Sequence, residues 1–209
     1  DYEEVRRIGE EVLADYKEQA MEQKEGAYTV YNASGWSMDT LAAVPVDAEG
    51  IFTDAAGNVL PSQQAEGMHF VHVKNVPPMG YQTIQFTKGT QAAQSSVFTV
   101  DGKHIETPYY SISLNDYGQM VRLFDKQEER EVLARGERGN VLQVFEDKPL
   151  DNDAWDIDIF YQQKMREVTE LTAFEVAECG ALCLSIHMEW KYMNTDIAQD
   201  MVLYSADPR

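Results

Sequence analysis

Along the first two dozen residues the apolar side chains recur at helical spacing. Tyr2, Val5, Ile8, Val12, Leu13 and Tyr16 mark one face, and Glu3, Glu4, Arg6, Arg7, Glu10 and Glu11 cover the other. The pattern predicts an amphipathic helix over residues 1–24, with Gly26 as its stop. Its stripe calls for a helical partner, and no later segment has helical periodicity. From Ala27 the period drops to two. Tyr28 and Val30 open a strand, and Leu41, Val44 and Val46, then Ile51 and Phe52, then Phe70, Val71 and Val73 continue the series. A break at Val76-Pro77-Pro78-Met79-Gly80 precedes a strand through Tyr81, Thr83, Ile84 and Phe86. Short strands at about ten-residue spacing, with turn signals between them, predict a small β-sandwich.

Residues 88–96 (KGTQAAQSS) are small and polar and read as a linker or exposed loop. Longer strands follow. Residues 109–114 and 120–124 flank Asn115-Asp116-Tyr117-Gly118 and predict a hairpin. Residues 166–179 and 181–190 are the longest candidates. In the second, Leu182, Leu184, Ile186, Met188 and Trp190 alternate with Cys183, Ser185, His187 and Glu189, a two-residue period. Residues 195–204 close the series. The abrupt helix at one end and the apolar strand at the other read as cut ends of a longer protein. Targeting signals are therefore expected elsewhere.

Charge narrows the function classes. Seventeen basic residues against 36 acidic ones leave a formal charge of −19, which repels phosphate backbones and anionic membrane surfaces. Neither nucleic acid nor membrane is an expected partner. No apolar run approaches membrane-spanning length. The two cysteines, Cys179 and Cys183, would lie on one face of a continuous strand, about 13 Å apart at about 3.3 Å per residue. That is too far for a disulfide unless the strand breaks at Gly180. Two buried free thiols are expected, which points to a reducing compartment.

The stretch richest in chemistry is residues 139–161, GNVLQVFEDKPLDNDAWDIDIFY. Val141, Leu142, Val144 and Phe145 read as a strand. An acidic loop then gathers Glu146, Asp147, Asp151, Asp153, Asp156 and Asp158 around Trp155, before the chain turns apolar at Ile157, Ile159, Phe160 and Tyr161. A large aromatic on a carboxylate-rich loop usually has a partner. As a calcium loop the segment fails, because Trp155 takes a ligand position and Asp156 the position of the required glycine. As a glycosidase pair, Asp153 and Asp156 would have to flank one bond at about 5–10 Å, and a single loop seldom supplies both sides of a substrate. Two readings of Trp155 stay open. It plugs a sheet edge, or it is a flat platform for a sugar ring with Asp153 or Asp156 bonding the hydroxyls. The histidines His69, His72, His104 and His187 accompany no nucleophile motif, and His69 and His72, three apart, fall on opposite strand faces. No CxxC, HExxH or P-loop is present.

The order of these signals resembles the C-terminal part of family 38 glycoside hydrolases, the α-mannosidases of the bacterial and cytosolic branch. The pieces that carry the resemblance are Tyr31-Asn32-Ala33-Ser34-Gly35-Trp36, Pro77-Pro78-Met79-Gly80-Tyr81, Tyr109-Tyr110, and Gly118 with Leu123 and Asp125-Lys126. Above all it rests on Phe145-Glu146-Asp147-Lys148-Pro149 followed by Asp153-Ala154-Trp155-Asp156. The resemblance implies a mainly β fold: one N-terminal helix, a small β-sandwich, then the first part of a larger antiparallel, galactose-mutarotase-like supersandwich, expected to be truncated. The corresponding division is the last helix of a helical domain over 1–26, the small sandwich over 27–88, a linker over 89–107 and the partial large sandwich over 108–209.

The resemblance also implies a parent enzyme that cleaves terminal α-mannosides with retention, through a carboxylate nucleophile and a zinc ion on an N-terminal α/β-barrel. No catalytic residue and no metal ligand is carried onto this chain, and the piece alone is expected to be inactive and free of cofactor. Asp153, Trp155 and Asp156 are the candidates for a substrate rim. The expected partners are the catalytic barrel of the same protein and a mannose-containing glycan, in the cytoplasm. Exposed strand edges make self-association an expectation. A free-standing carbohydrate-binding module and a pure scaffold are the competing readings.

Overall fold

A computed structural model describes residues 2–20, 24–65, 67–90, 94–152 and 154–206, with side chains in the helix described through Tyr16. The helix, α1, spans Tyr2–Ala20. Ion pairs one turn apart, Arg6 with Glu10 (3.5 Å) and Arg7 with Glu11 (2.6 Å), line its polar face. Its apolar stripe from Tyr2 to Tyr16 is exposed throughout. No helix of the described residues is long and apolar enough to cross a membrane.

Seven strands follow: β1 (Ala27–Asn32), β2 (Met38–Val44), β3 (Gly50–Thr53), β4 (Val59–Leu60), β5 (Ser62–Ala65), β6 (Met68–Val76) and β7 (Gly80–Lys88). They form a four-stranded antiparallel sheet in the order β1-β7-β3-β4 and a three-stranded one in the order β2-β6-β5. Alternation sends Val44, Phe52, Val71, Val73, Val76 and Ile84 inward to a first core. Two of the segments that carry the resemblance meet here. Tyr31 pairs with Tyr81 and Asn32 with Gly80. The buried Asn32 side chain donates to the carbonyls of Trp36 (2.7 Å), Val76 (3.1 Å) and Pro77 (3.1 Å), and accepts from the Ser34 amide (2.8 Å). One asparagine thereby satisfies a turn that would otherwise bury unpaired carbonyls.

The remaining strands are β8 (Thr99–Asp101), β9 (His104–Glu106), β10 (Tyr110–Leu114), β11 (Met120–Asp125), β12 (Arg130–Glu131), β13 (Gln143–Phe145), β14 (Met165–Glu167), β15 (Glu170–Cys179), β16 (Cys183–Tyr192) and β17 (Thr195–Tyr204). Their sheets are β12-β11-β10-β9-β8, the ribbon β13-β14, and β15-β16-β17. The second core joins Phe98, Ile105, Ile112, Leu114 and Val168 to Leu184, Ile186, Met188 and Trp190 of β16. Trp190 donates from Nε1 to the Tyr117 carbonyl (2.8 Å). Gly118 (φ +76°) lies so close beneath that an added Cβ would sit 2.6 Å from the indole Cζ2. The expected hairpin at 115–118 is therefore shaped around a tryptophan more than 70 residues away in sequence.

Three expectations are corrected. The linker placed over 89–107 contains β8 and β9, a hairpin turning at Gly102 (φ +57°), with Ile105 fully buried. Strands of three residues are too short to show a period. The single strand read over 166–179 is two, β14 and β15, separated by Val168, whose amide bonds to the Leu142 carbonyl (2.9 Å). The chain also turns between Cys179 and Cys183, where the Gly180 amide donates to the Cys183 carbonyl (3.0 Å). Cys179 then pairs with Leu184, which faces the core, while Cys183 is buried against Gln63. Both are free thiols, but Cys179 is exposed, not buried.

Gln63 links the two cores. Its Oε1 accepts from the Leu182 (2.8 Å) and Cys183 (2.9 Å) amides, and its Nε2 donates to Glu178 (2.8 Å). A Cβ on Gly180 would lie 2.1 Å from the Gln63 amide carbon. The glycine leaves the space that the glutamine fills.

Candidate functional site

The acidic stretch rises from the β13-β14 ribbon. Gln143 pairs with Glu167, Val144 with Arg166 and Phe145 with Met165, and the Glu146 amide extends the ladder to the Lys164 carbonyl (3.1 Å). The ribbon is held at its base. Leu142 and Val144 pack on the second core. Arg138 makes a two-pronged bond to Glu167 (2.7 and 2.9 Å) and also donates to the buried Gln119 (2.6 Å). Glu167 sits below its ordinary carboxylate range because of the Arg138 and Gln119 hydrogen bonds.

Higher up, Glu146 pairs with Lys148 and with Lys164 (2.7 Å), which bring its pKa down to about 2. Phe145 and Tyr161 meet edge to face at 5.1 Å. The Leu150 amide donates to Asp158 Oδ2 (2.7 Å), and a 3-10 helix, Ile159–Gln163, carries the chain back to β14. At the tip the amides of Trp155 (2.7 Å) and Asp156 (3.0 Å) both bond to the Asn152 carbonyl, with Asn152 at φ +55°. Asparagine is one of the few residues that tolerates that conformation.

Trp155 is 89% exposed and Asp156 beside it is also exposed, so the two share one turn. Asp153 lies outside the described residues. An indole this exposed is not packed against a sheet edge within this chain. Leu150, Ile157, Ile159 and Phe160 are exposed around it. What this arrangement offers is an exposed indole with the exposed Asp156 next to it in the chain, on a footing braced by two salt-bridged carboxylates, Glu146 and Glu167. Among the described residues no group of three or more His, Cys, Asp or Glu is placed to hold a metal ion.

The structure adds residues that the linear reading passed over. A cavity of about 350 Å³ beside the ribbon is lined by Phe145, Glu146, Lys164, Arg166 and Tyr192, drawn from three strands and a loop. His104 and His187, without partners in the sequence, have them in space. His104 meets Glu106 (2.8 Å) and Ser113 (3.1 Å), and His187 meets Asp200 (2.7 Å) and Glu189 (3.2 Å). The Asp200 and Glu189 bonds raise the His187 pKa. The two-residue period of β16 sets His187 on the face opposite Leu184, Ile186 and Met188, but only strand register reveals who faces whom.

Comparison with known proteins gives a family and a fold. A family model described as "Glycosyl hydrolases family 38 C-terminal domain" matches residues 105–209. Among solved structures, a glycosyl hydrolase family 38 protein from Enterococcus faecalis aligns over 88% of this chain with a TM-score of 0.58 and 10% identity. An alpha-mannosidase from Enterococcus faecalis aligns over 88% of it with a TM-score of 0.56 and 9% identity. At such identities the likeness is one of fold. The chain spans 30% and 29% of those two proteins. No curated protein gives a significant match.

Proposed function

From the premise that this chain belongs to glycosyl hydrolase family 38, we propose that it is the non-catalytic C-terminal β-region of a retaining α-mannosidase, presenting Trp155 and Asp156 at the rim of the substrate site. The family match and the partial coverage of two longer family proteins support the first half. The single observation that carries the second is an indole 89% exposed on a braced ribbon. Burying such a surface against a ligand or a neighbouring domain is favourable at about 25 cal/mol per Å² of apolar area. A pyranose offers C–H groups to the indole and hydroxyls to Asp156 and Asp153. The chemistry itself, with its zinc ion and nucleophile, belongs to a catalytic α/β-barrel elsewhere in the same cytoplasmic protein. This chain supports that barrel and shapes its entrance.

The test is hydrolysis of an aryl α-mannoside by the full-length protein, by its Trp155→Ala variant and by residues 1–209 alone. The full-length protein should be active and residues 1–209 inactive. The variant should lose kcat/KM with an unchanged melting temperature. Activity in residues 1–209 would overturn the non-catalytic assignment and return attention to Asp153 and Asp156 as a reacting pair. Full activity in the variant would remove the rim role.

A further inference from the structure

A second concave site lies between the two cores, away from the ribbon. The β2-β6-β5 sheet and the β15-β16-β17 sheet face each other there across two cavities of about 330 and 400 Å³. Phe70 and Tyr204 line both, so the cavities are two lobes of one cleft. Their sizes fall in the range of small-molecule sites, about 300–1,000 Å³. The first lobe adds Asp39 and His72. The second adds Glu178, Ser185, His187 and Asp200.

His72 is the informative member. It is 9% exposed, and its Nε2 has no hydrogen-bond partner. Burial, assisted by Lys74 and opposed by Asp39, lowers its pKa, so the ring is neutral at pH 7 and Nε2 is an ordinary donor or acceptor. A buried polar atom left unpaired is costly; Nε2 itself is closed to solvent, but its ring lines the first lobe, so a turn of the ring would present it to a ligand hydroxyl. The carboxylates have capacity to spare. Asp39 accepts one bond from the Asn75 amide (2.8 Å), Glu178 one from Gln63 (2.8 Å) and Asp200 one from His187 (2.7 Å). Each carboxylate has about four lone-pair sites.

No lysine or arginine lines either lobe, so carboxylate and phosphate ligands are repelled. Two aromatic walls set among acceptors suit a ring with apolar C–H faces and a hydroxyl edge. We propose that this cleft binds a neutral disaccharide-sized sugar, one ring in each lobe. The rings lie against Phe70 and Tyr204, with their hydroxyls on Asp39, Glu178, Asp200 and His72 Nε2. The site is independent of the mannosidase reading and of the Trp155 loop.

Hydrogen–deuterium exchange of the full-length protein, read by mass spectrometry, tests it with mannobiose, maltose and lactose as probes and tetramethylammonium as a cationic control. At least one sugar should slow exchange in peptides covering both 68–73 and 199–205, and the cation should not. Tyr204→Ala should weaken that protection about tenfold. Asp39→Asn, at an exposed edge position that tolerates change, should weaken it several-fold. The proposal is overturned if no sugar protects both peptides, if only the cation does, or if both variants are protected as strongly as the parent. Mannoside hydrolysis is not a readout, so the two proposals stand or fall separately.

Discussion

Trp190 and Trp155 are the same residue with opposite fates. Trp190 is 1% exposed, bonded to the Tyr117 carbonyl and seated over Gly118. Trp155 is 89% exposed on a turn closed by the Asn152 carbonyl. The difference comes from what lies on either side in sequence. Trp190 ends an alternating run, Leu184, Ile186, Met188, Trp190, whose inward face is set by the strand period. Trp155 sits among carboxylates in a loop with no period, so no regular element carries it into a core. A buried tryptophan serves the fold, and an exposed one stays free for a partner.

The largest expected effect breaks the buried side of that comparison. Trp190→Ala should destabilise the protein by about 3–5 kcal/mol in equilibrium urea unfolding, the range for deleting a buried aromatic. A loss below about 1 kcal/mol would mean that the second core does not depend on it. Next in size is the link between the cores. Gln63→Ala strands the Leu182 and Cys183 amides, each an unpaired donor costing about 1–3 kcal/mol when buried. Gly180→Ala should produce a comparable loss by displacing the Gln63 side chain, and Gln63→Ala in the Gly180→Ala background should add little. Full additivity in that double-mutant cycle would contradict the contact.

The exposed side should respond in the opposite way. Trp155→Ala should change stability by no more than about 0.5 kcal/mol. In the full-length protein it should lower kcat/KM about tenfold, the equivalent of about 1.4 kcal/mol in transition-state stabilisation. A melting temperature that falls by many degrees would show that Trp155 is buried in the complete protein and would favour the pure-scaffold reading.

The smallest effect concerns the foot of the loop. Glu146 has its pKa brought from 4.5 to about 2 by Lys148 and Lys164. A depressed carboxylate contributes stability in full above its ordinary value and loses it as pH falls from about 4.5 through about 2. Exposure keeps that contribution modest. Proteolysis of the 146–164 loop should therefore accelerate below pH 4.5, and Glu146→Gln should flatten that dependence. Glu106, held at about 2 by Lys126 and Ser111 within the β9-β10-β11 sheet, is the reference. Glu106→Gln should leave loop proteolysis unchanged.

Much of the fold was legible because its longer elements repeat a period over many residues. The strand expected over 195–204 is β17, and the hairpin expected at 115–118 joins β10 to β11. The short strands β4, β5, β8 and β9 escaped notice, since two to four residues hold too few alternations to register. For the candidate loop, composition alone marked out Trp155 and Asp156. The turn that exposes them together depends on backbone bonds at Asn152 that composition does not encode.

By itself the sequence determined the strand-rich class, the inward face of β16, the amphipathic character of α1 and the acidic surface, all of which follow from local spacing and charge. Only the tertiary structure decided that Gln63 reaches a hairpin more than 115 residues away, that Cys179 and Cys183 part company at Gly180, and that His72 lines a cleft with Tyr204. Those facts depend on register and packing between distant strands. Side chains that meet there share no spacing along the chain, so no linear pattern records them.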